Sequence, residues 1–382
     1  MGPRARWSFG ASNVTSGSPP EWLPAQEAFY KACRAAGYAD NADYNDPDSA
    51  GVGPLPFNNP ERIRLSTALG YLNQARHRLN LTVRPDSTVR RIVFDGTRAT
   101  GVVVESNGES FTVQGAEVIL CAGALGSPRQ LLLSGVGPAD QLRGLGIPVV
   151  ADLPGVGQNL REHPLLYVTW RTKPGVEQRL NDPRLQVGLR YTAAGSDLRN
   201  DMMLYMWCFP TNPVPQGGDP TEPTGMNMLV ILALARSAGE LRLTSADPDV
   251  QPDVDFRFFQ DPFDRERFRE SIRLCVSLAE HDAFKDLLGE RTDPTDDDLE
   301  SDSALDDWAM RKVSPGFHYA GTCKMGPVAD PMAVVDQYGR VHGVQGLRVA
   351  DASIMVDCIR ANTNVTTMMI GERVADFIQN GL

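Results

Sequence analysis

The stretch Glu117–Pro128, which reads EVILCAGALGSP, decides the fold class of this 382-residue chain. Within it, Val118–Ala122 is an apolar run without polar alternation, which is typical of a buried parallel strand. A turn of small residues follows, and then a helical pattern over Arg129–Leu133 with Pro128 in its first turn. A strand, a turn and a helix in this order make half of a βαβ unit, so the sequence predicts an α/β fold.

The region before this stretch contains signals for a small antiparallel sheet. Three runs rich in β-branched residues, Val89–Phe94, Gly101–Glu105 and Phe111–Val113, are separated by the turn dipeptides Asp95-Gly96 and Asn107-Gly108. Such dipeptides between strand-like runs indicate tight hairpins. We therefore expect a three-stranded meander.

The middle of the chain has a different character. It carries strand patterns around Leu165–Arg171 and Asn227–Ala235, together with two amphipathic helical patterns. We predict a second, α+β domain built on an antiparallel sheet. The tail returns to the first style, with a strand at Leu347–Ala350 and an amphipathic helix over Asn364–Gln379, so the first domain is expected to be interrupted and later completed.

These patterns divide the chain into four segments. Residues 1–60 are dense in glycine and proline, which predicts extended loops around one helix near residues 24–37. Residues 61–163 and 313–382 are predicted to be the two parts of the α/β domain. Residues 164–312 are predicted to be the inserted domain.

The composition argues against nucleic-acid and membrane partners and against metal or disulfide sites. The chain has 37 basic and 48 acidic residues and a net charge of −11, which repels nucleic acid and anionic membranes. No stretch approaches the roughly 20 apolar residues that a membrane helix needs. The six cysteines have no CxxC spacing, so neither a zinc site nor a disulfide framework is indicated. We predict a cytoplasmic protein without a metal.

Two motifs in the first half of the chain resemble those of one known family. Ala122–Pro128, continued by Leu131–Pro138, resembles the second signature of the glucose-methanol-choline (GMC) oxidoreductases. Leu153–Leu160, followed by His163-Pro164, is similar to the next landmark of that family. The two motifs follow one another along the chain in the same order as in that family.

The C-terminal block carries the most specific part of the resemblance. His318–Gly326, Leu347–Ser353 and Asn362–Asn364 are most similar, in order and spacing, to the choline oxidase and choline dehydrogenase branch. The likeness covers residues 49–377. It implies an FAD/NAD(P)-binding domain of the GMC type, formed by residues 61–163 and 313–382, with residues 164–312 as the substrate-binding domain and FAD as the cofactor.

The resemblance also predicts a missing segment. Members of this family begin with a strand and a GxGxxG turn that holds the FAD pyrophosphate at a helix N-terminus, and no GxGxxG occurs in this chain. We therefore expect the FAD domain to be incomplete at its N-terminus, with roughly a quarter of a full enzyme preceding it.

Two residues match the family's catalytic pair. His318 matches the catalytic histidine, whose neutral imidazole would accept the hydroxyl proton of an alcohol while hydride moves to flavin N5. Asn362 stands where family members carry a second histidine or an asparagine, and its amide would orient the substrate oxygen. A packed histidine and a helix N-cap are the structural alternatives for these two residues.

Five further residues match cofactor-binding positions. Asp351 and Ala352 resemble residues that contact ribityl and phosphate groups, and Val89 resembles a residue on the adenine side, although it suits the core of the meander equally well. Thr363 and Asn364 begin a helix whose N–H groups would face the flavin pyrimidine edge.

Other polar residues are given no catalytic role. Cys323 is not interpreted as a nucleophile, because no third group orients it with His318. His163 and His342 are interpreted as loop or packing residues. The five histidines give no metal-ligand spacing.

Taken together, the resemblance implies an FAD-dependent oxidoreductase that acts on the CH–OH group of a small alcohol, with oxygen or another carrier as the electron acceptor. A hydroxynitrile-lyase-like flavoprotein is one alternative. The other is a non-enzymatic fragment that cannot hold FAD by itself. The segment Met202–Pro210 suits either an apolar pocket wall or a core strand.

Overall fold

A computed structural model describes residues 22–60, 63–210, 223 and 225–382. Residues 1–21 of the predicted loop-rich segment lie outside the described residues. The α-helices are α1 Pro24–Ala35, α2 Asn73–Ala75, α3 Gly123–Leu133, α4 Ala139–Gly144, α5 Pro262–Ala279, α6 Asp296–Leu299, α7 Asp302–Lys312 and α8 Thr363–Gln379. A π-helical segment, Ala68–Leu72, precedes α2, and 3-10 segments lie at Asp282–Phe284 and Ala352–Ile354.

The strands are short and numerous. They are β1 Gly51–Pro54, β2 Thr88–Asp95, β3 Arg98–Ser106, β4 Glu109–Gln114, β5 Val118–Leu120, β6 Val136–Gly137, β7 Ala151–Asp152, β8 Pro164–Thr172, β9 Val187–Tyr191, β10 Met202–Trp207, β11 Met226–Leu232, β12 Glu240–Arg242, β13 Asp253–Asp255, β14 Leu288–Asp293, β15 Ser314–Pro315 and β16 Leu347–Val349.

The chain divides into two compact units, each made of separate segments. Unit 1 takes its described residues from Met1–Val83, Leu166–Val230 and Phe268–Trp308, and unit 2 consists of Arg84–Leu165, Ile231–Arg267 and Ala309–Leu382. The segment 231–267, which the sequence assigned to the inserted domain, groups with unit 2. The assignment of the units to cofactor and substrate binding stays a prediction.

Unit 1 is organised by a sheet with the strand order β1-β9-β10-β11-β8-β14. β9 pairs antiparallel with β1 and β10, and β14 pairs antiparallel with β8. Every residue of β9 and β11 is buried, so these central strands are covered on both faces. The antiparallel sheet predicted for the middle of the chain is confirmed, and Met202–Pro210 contains a strand of it.

A buried amide anchors α1 to this sheet. Gln26 is fully buried, and its Nε2 donates to the Met206 carbonyl at 2.9 Å while its Oε1 accepts from the Val187 N–H at 3.0 Å. The side chain therefore bonds one main-chain group of β10 and one of β9. A buried amide must satisfy its polar atoms within the protein, and here they are satisfied by main-chain groups of two neighbouring strands.

Unit 2 contains the parallel strand that the stretch Glu117–Pro128 predicted. β5 pairs parallel with β16, with Val118 opposite Leu347 and Leu120 opposite Val349. The predicted meander is also confirmed as an antiparallel sheet of β2, β3 and β4. The buried apolar core of the unit includes Leu131 and Leu132 of α3, so the helix after β5 packs back into the same core.

The start of α3 differs from the sequence prediction. The helix begins at Gly123, directly after β5, so Pro128 lies inside it instead of in its first turn. Proline has no N–H, and the carbonyl four residues earlier therefore loses its helical donor. That carbonyl belongs to Ala124, and it accepts a hydrogen bond from the buried Thr322 hydroxyl at 2.6 Å. The small residues after β5, which the sequence predicted to be a turn, therefore form the first turn of α3. Pro128 is accommodated inside the helix because the Thr322 hydroxyl replaces the missing donor.

Across the ranges that the structure describes, no helix has the length and apolar character needed to cross a bilayer.

We predict that Thr322→Val destabilises the protein by about 1–3 kcal/mol, because it leaves the buried Ala124 carbonyl without a donor at nearly unchanged volume. The free energy of unfolding, measured by urea denaturation, provides the check. Thr322→Ser keeps the hydroxyl and is the matched control. Equal losses for the two variants would contradict the assignment of the effect to this hydrogen bond.

Candidate active site

The structure brings together the two residues that the sequence predicted as a catalytic pair. His318 follows β15, and Asn362 is the residue immediately before α8. The Asn362 Nδ2 atom lies 2.9 Å from the His318 Nε2 atom. Asn362 occupies the N-cap position, but its side chain makes no capping hydrogen bond. The side-chain amide is thus directed to the imidazole and not to the helix end.

A second imidazole lies on the other side of His318. The Nδ1 atoms of His163 and His318 are 3.0 Å apart, and the two rings meet edge to face with their centroids 4.9 Å apart. The Nε2 atom of His163 lies 2.8 Å from the carbonyl oxygen of Ile359. His163 is fully buried. The sequence predicted His163 to be a loop or packing residue; the structure adds a contact with His318 that the sequence did not predict.

A buried carboxylate holds the main chain of both histidines. Glu162 Oε1 accepts from the His163 N–H at 2.6 Å and from the His318 N–H at 2.9 Å, and its Oε2 lies 3.1 Å from the latter nitrogen. The main-chain N–H groups of Phe317 and Gly316 also face this carboxylate and lower its pKa. Burial raises the pKa of Glu162 to about 7, against the opposing effect of these main-chain donors.

The segment that carries His318 approaches the segment that carries His163 so closely that a glycine is required between them. A Cβ atom at Gly316 would lie 2.8 Å from the His163 carbonyl oxygen and 3.2 Å from the His318 Nδ1 atom. Phe317 follows with a φ of 61°, a left-handed conformation that is uncommon for a bulky residue. The turn that presents His318 is therefore compact and conformationally restricted.

Burial also sets the charge state of the two imidazoles. It lowers the pKa of His163 to about 3, with a smaller contribution from the neighbouring His318. It lowers the pKa of His318 below the ordinary value of 6.5. Both rings are thus neutral near pH 7, which leaves one nitrogen of His318 available as a proton acceptor.

The loop that leads to Asn362 is tied to the same segment as His163. The Arg161 guanidinium lies 3.4 Å from the Asp357 carboxylate and donates to the Ala235 carbonyl at 3.2 Å. Asn159 Nδ2 donates to the Val356 carbonyl at 3.2 Å. Residues 159–163 therefore contact both segments that carry the pair.

The predicted cofactor residues after Asn362 lie in the first turn of α8. Thr363 is buried and Asn364 is exposed. The first N–H groups of a helix have no intrahelical acceptor, and the Asn362 side chain does not cap them. Val365 and Met369 lie one turn apart and are 67% and 48% exposed. Uncapped N–H groups beside an exposed apolar face suit a flat aromatic ring system with carbonyl groups at its edge.

The remaining predicted cofactor residues occupy other places in unit 2. Asp351 follows β16 and is buried; its carboxylate accepts from the Gly123 N–H, the Ser127 hydroxyl, and both the N–H and the hydroxyl of Ser353. Any contact of Asp351 with a cofactor would thus involve its main chain. Ala352 is buried. Val89 lies in β2 and has no hydrogen bond with His318 or Asn362 in the described part of the chain.

Two residues of this site, Glu162 and His163, were missed by the sequence reasoning. The signal that was available is the polar run Arg161-Glu162-His163 immediately before the buried strand β8. Two of these three residues, Glu162 and His163, are buried, which is unusual for such side chains unless they have partners.

Cys323 and His342 are not part of the pair. Cys323 is buried, and burial raises the pKa of its thiol, which disfavours the thiolate. The His342 Nε2 atom lies 3.0 Å from the Gly326 carbonyl. Among the residues that the structure describes, no cluster of three or more His, Cys, Asp or Glu could hold a metal ion.

Curated proteins similar to this chain span most of its length. An oxygen-dependent choline dehydrogenase of Klebsiella pneumoniae subsp. pneumoniae is 37% identical over 394 residues, which cover 97% of this chain and 70% of that protein. Oxygen-dependent choline dehydrogenase 1 of Chromohalobacter salexigens is 36% identical and covers 92% of this chain and 67% of its own length.

Solved structures with the same fold include two oxidases. A formate oxidase superposes with a TM-score of 0.85 at 25% identity and covers 97% of this chain and 72% of its own. Pyridoxine 4-oxidase from Mesorbium loti superposes with a TM-score of 0.83 at 26% identity and covers 95% of this chain and 72% of its own.

Two family models match the chain and together cover most of it. Both are described as GMC oxidoreductase, and they match residues 11–165 and 235–371. The second match contains His318 and Asn362, and the first contains Glu162 and His163. With the fold, the relatives and both matches in agreement, the chain belongs to the GMC oxidoreductase family.

Proposed function

We propose that this protein oxidises the CH–OH group of a small alcohol, with His318 as the base and Asn362 as the residue that orients the substrate oxygen. The chain is a GMC-type oxidoreductase with FAD as its cofactor. The observation that carries the proposal is the 2.9 Å approach of the Asn362 amide to the His318 Nε2 atom. It places a proton acceptor and a hydrogen-bond donor side by side.

The residues present suit FAD at one end of α8. The uncapped N–H groups of Thr363 and Asn364 would hold the polar edge of the flavin ring, where negative charge gathers on reduction. The main chain of Asp351 and Ala352 would contact ribityl and phosphate groups, since ligands of α/β proteins bind at the carboxyl ends of parallel strands. When bound, the cofactor supplies the acceptor for the hydride of the alcohol.

His318 would take the hydroxyl proton at Nε2. Its lowered pKa keeps the ring neutral at pH 7, so the lone pair is present before the alcohol arrives. A base with a pKa near or below the working pH is mostly in its reactive form, although its proton affinity falls with its pKa. The bond from Nδ1 to His163 leaves Nε2 as the nitrogen that faces Asn362.

Asn362 would hold the alcohol oxygen and stabilise the charge that develops on it. A carboxamide cannot serve as a base near neutral pH, but its N–H₂ group donates two hydrogen bonds. In the structure one faces His318 Nε2; an alcohol that donates its hydroxyl to this nitrogen would replace that bond, and the amide would then donate to the alcohol oxygen. Removing one such donor in other enzymes lowers the rate by about 10²–10³.

Three partners complete the proposal. Choline is the first alcohol to test, because the curated relatives carry its name. Oxygen or another carrier would reoxidise the flavin. An N-terminal FAD-binding segment with a GxGxxG turn is the third partner, and it would act with this chain in the cytoplasm.

The decisive measurement is the flavin absorption of the FAD-supplemented protein, mixed with choline and other small alcohols without oxygen. Bleaching of the flavin band by an alcohol supports the proposal. A protein that retains FAD but is not bleached by any alcohol favours the hydroxynitrile-lyase-like alternative. A colourless protein that does not take up FAD favours the non-enzymatic fragment, and supplying a GxGxxG segment from a relative then tests the enzyme a second time.

We predict that His318→Ala slows anaerobic flavin reduction by about 10²–10⁴, which is the usual contribution of a general base. Stopped-flow absorbance measures the rate, and the flavin content of the same sample shows whether the cofactor is still bound. His77→Ala, at an exposed histidine of unit 1, serves as the control. Unchanged reduction in His318→Ala would exclude this residue as the base.

We predict that Asn362→Asp moves the acid limb of the kcat/KM profile to higher pH by about 1 unit or more, because a carboxylate beside Nε2 favours the imidazolium. The sign follows from the base role: a raised His318 pKa means that the reactive neutral form exists only at higher pH. Glu162, whose pKa is raised to about 7 by burial, is present in both proteins, so the shift is read against the wild type.

Asn362→Ala is the matched control for charge. It removes the donor without adding a carboxylate, so the rate should fall while the acid limb keeps its position. A limb that does not move in Asn362→Asp would show that Asn362 does not contact the base during turnover.

A further inference from the structure

His163 is a buried polar residue for which the proposed reaction has no direct use. It is fully buried, yet each of its ring nitrogens has a polar partner within hydrogen-bond distance: the His318 Nδ1 atom at 3.0 Å and the Ile359 carbonyl at 2.8 Å. Buried nitrogens without partners are costly. These partners explain how a buried His163 is tolerated. Because one of them can only accept a hydrogen bond, they also show which ring nitrogen carries the proton.

The carbonyl of Ile359 determines which nitrogen of His163 carries the proton. A carbonyl oxygen can only accept a hydrogen bond, so the Nε2 atom of His163 must be the donor. A neutral imidazole has one N–H and one lone pair, so the His163 Nδ1 atom is an acceptor. The nitrogen opposite it, Nδ1 of His318, must therefore carry the proton of that ring.

We propose that His163 is a positioning residue that holds the neutral His318 ring in the tautomer with its proton on Nδ1. The lone pair then lies on Nε2, the nitrogen beside Asn362. Free histidine in water prefers the opposite tautomer, with the proton on Nε2, and the hydrogen bond of the second nitrogen is what reverses such a preference in proteins. The kinetic consequence rests on the proposed role of His318 as the base, whereas the tautomer itself does not.

The main chain keeps the two rings at this distance. Glu162 accepts the N–H groups of both histidines, and the Gly316 N–H donates to the His163 carbonyl at 3.0 Å. The Nδ1–Nδ1 contact is thus fixed by bonds on the backbone side as well as by the rings. A tautomer lock requires such a fixed distance, because a hydrogen bond weakens steeply when its geometry is lost.

The first experiment is nitrogen-15 NMR of the histidine rings in the wild-type chain at pH 7. We expect His318 to be protonated on Nδ1 and His163 on Nε2. His318→Gln and His163→Asn spectra assign the two rings among the five histidines. A His318 ring protonated on Nε2 would overturn the proposal without any kinetic measurement.

The second experiment compares His163→Leu with His163→Asn. The two replacements have similar size, but only asparagine offers an oxygen near the position of the Nδ1 acceptor. We expect His163→Asn to keep the His318 tautomer and a kcat within about threefold of the wild type, and His163→Leu to lose the tautomer and about tenfold in kcat with KM little changed. A packing role would be served equally by both.

The outcomes separate this inference from the proposed function. If the rings show the expected tautomers but no alcohol reduces the flavin, the proposed oxidation is wrong, whereas the role of His163 in fixing the His318 tautomer is supported. If alcohols are oxidised and His163→Leu keeps both the tautomer and the wild-type kcat, the lock fails and the oxidation stands. If His163→Leu does not fold, the wild-type spectrum and His163→Asn still test the proposal.

Discussion

The hydrogen bond between His163 and the Ile359 carbonyl is the constraint from which the rest of the site follows. Because the carbonyl cannot donate, it fixes the proton of one imidazole, and the 3.0 Å contact between the rings transmits that choice to His318. The end of this chain of bonds is a lone pair facing Asn362. The protonation of two titratable rings is thus determined by a main-chain group that does not titrate.

Residues 159–163 are the structural element on which this arrangement depends. Arg161 contacts the loop before Asn362, and Glu162 accepts the main-chain N–H of His318. His163 contacts the His318 ring and the Ile359 carbonyl of that loop. These three neighbours precede a strand that is largely buried. A short segment at the start of a rigid strand can position distant loops precisely. Its buried polar side chains are tolerated because each has hydrogen-bond partners.

Local signals were sufficient for part of the structure. The meander and the two strands β5 and β16 were predictable because their turn dipeptides and apolar runs are local patterns, whereas the pairing of β5 with β16 joins distant parts of the chain and was not predicted. The start of α3 was not, because the donor that makes Pro128 acceptable inside the helix lies on Thr322, far along the chain. The contact between His163 and His318 was not predicted for the same reason, since the two residues are 155 positions apart in the sequence. The pairing of His318 with Asn362 came from the resemblance to a family and not from any local pattern.

The choice of an amide at Asn362 has a consequence for the return of the base to its starting state. Once His318 has taken a proton at Nε2, a donor faces a donor, and the bond seen at 2.9 Å is lost. Rotation of the amide by half a turn exchanges N–H₂ for oxygen and restores it. A carboxylate in this place would retain the proton, and an alkyl group would contact neither form. An amide can follow the base through both of its states without trapping either.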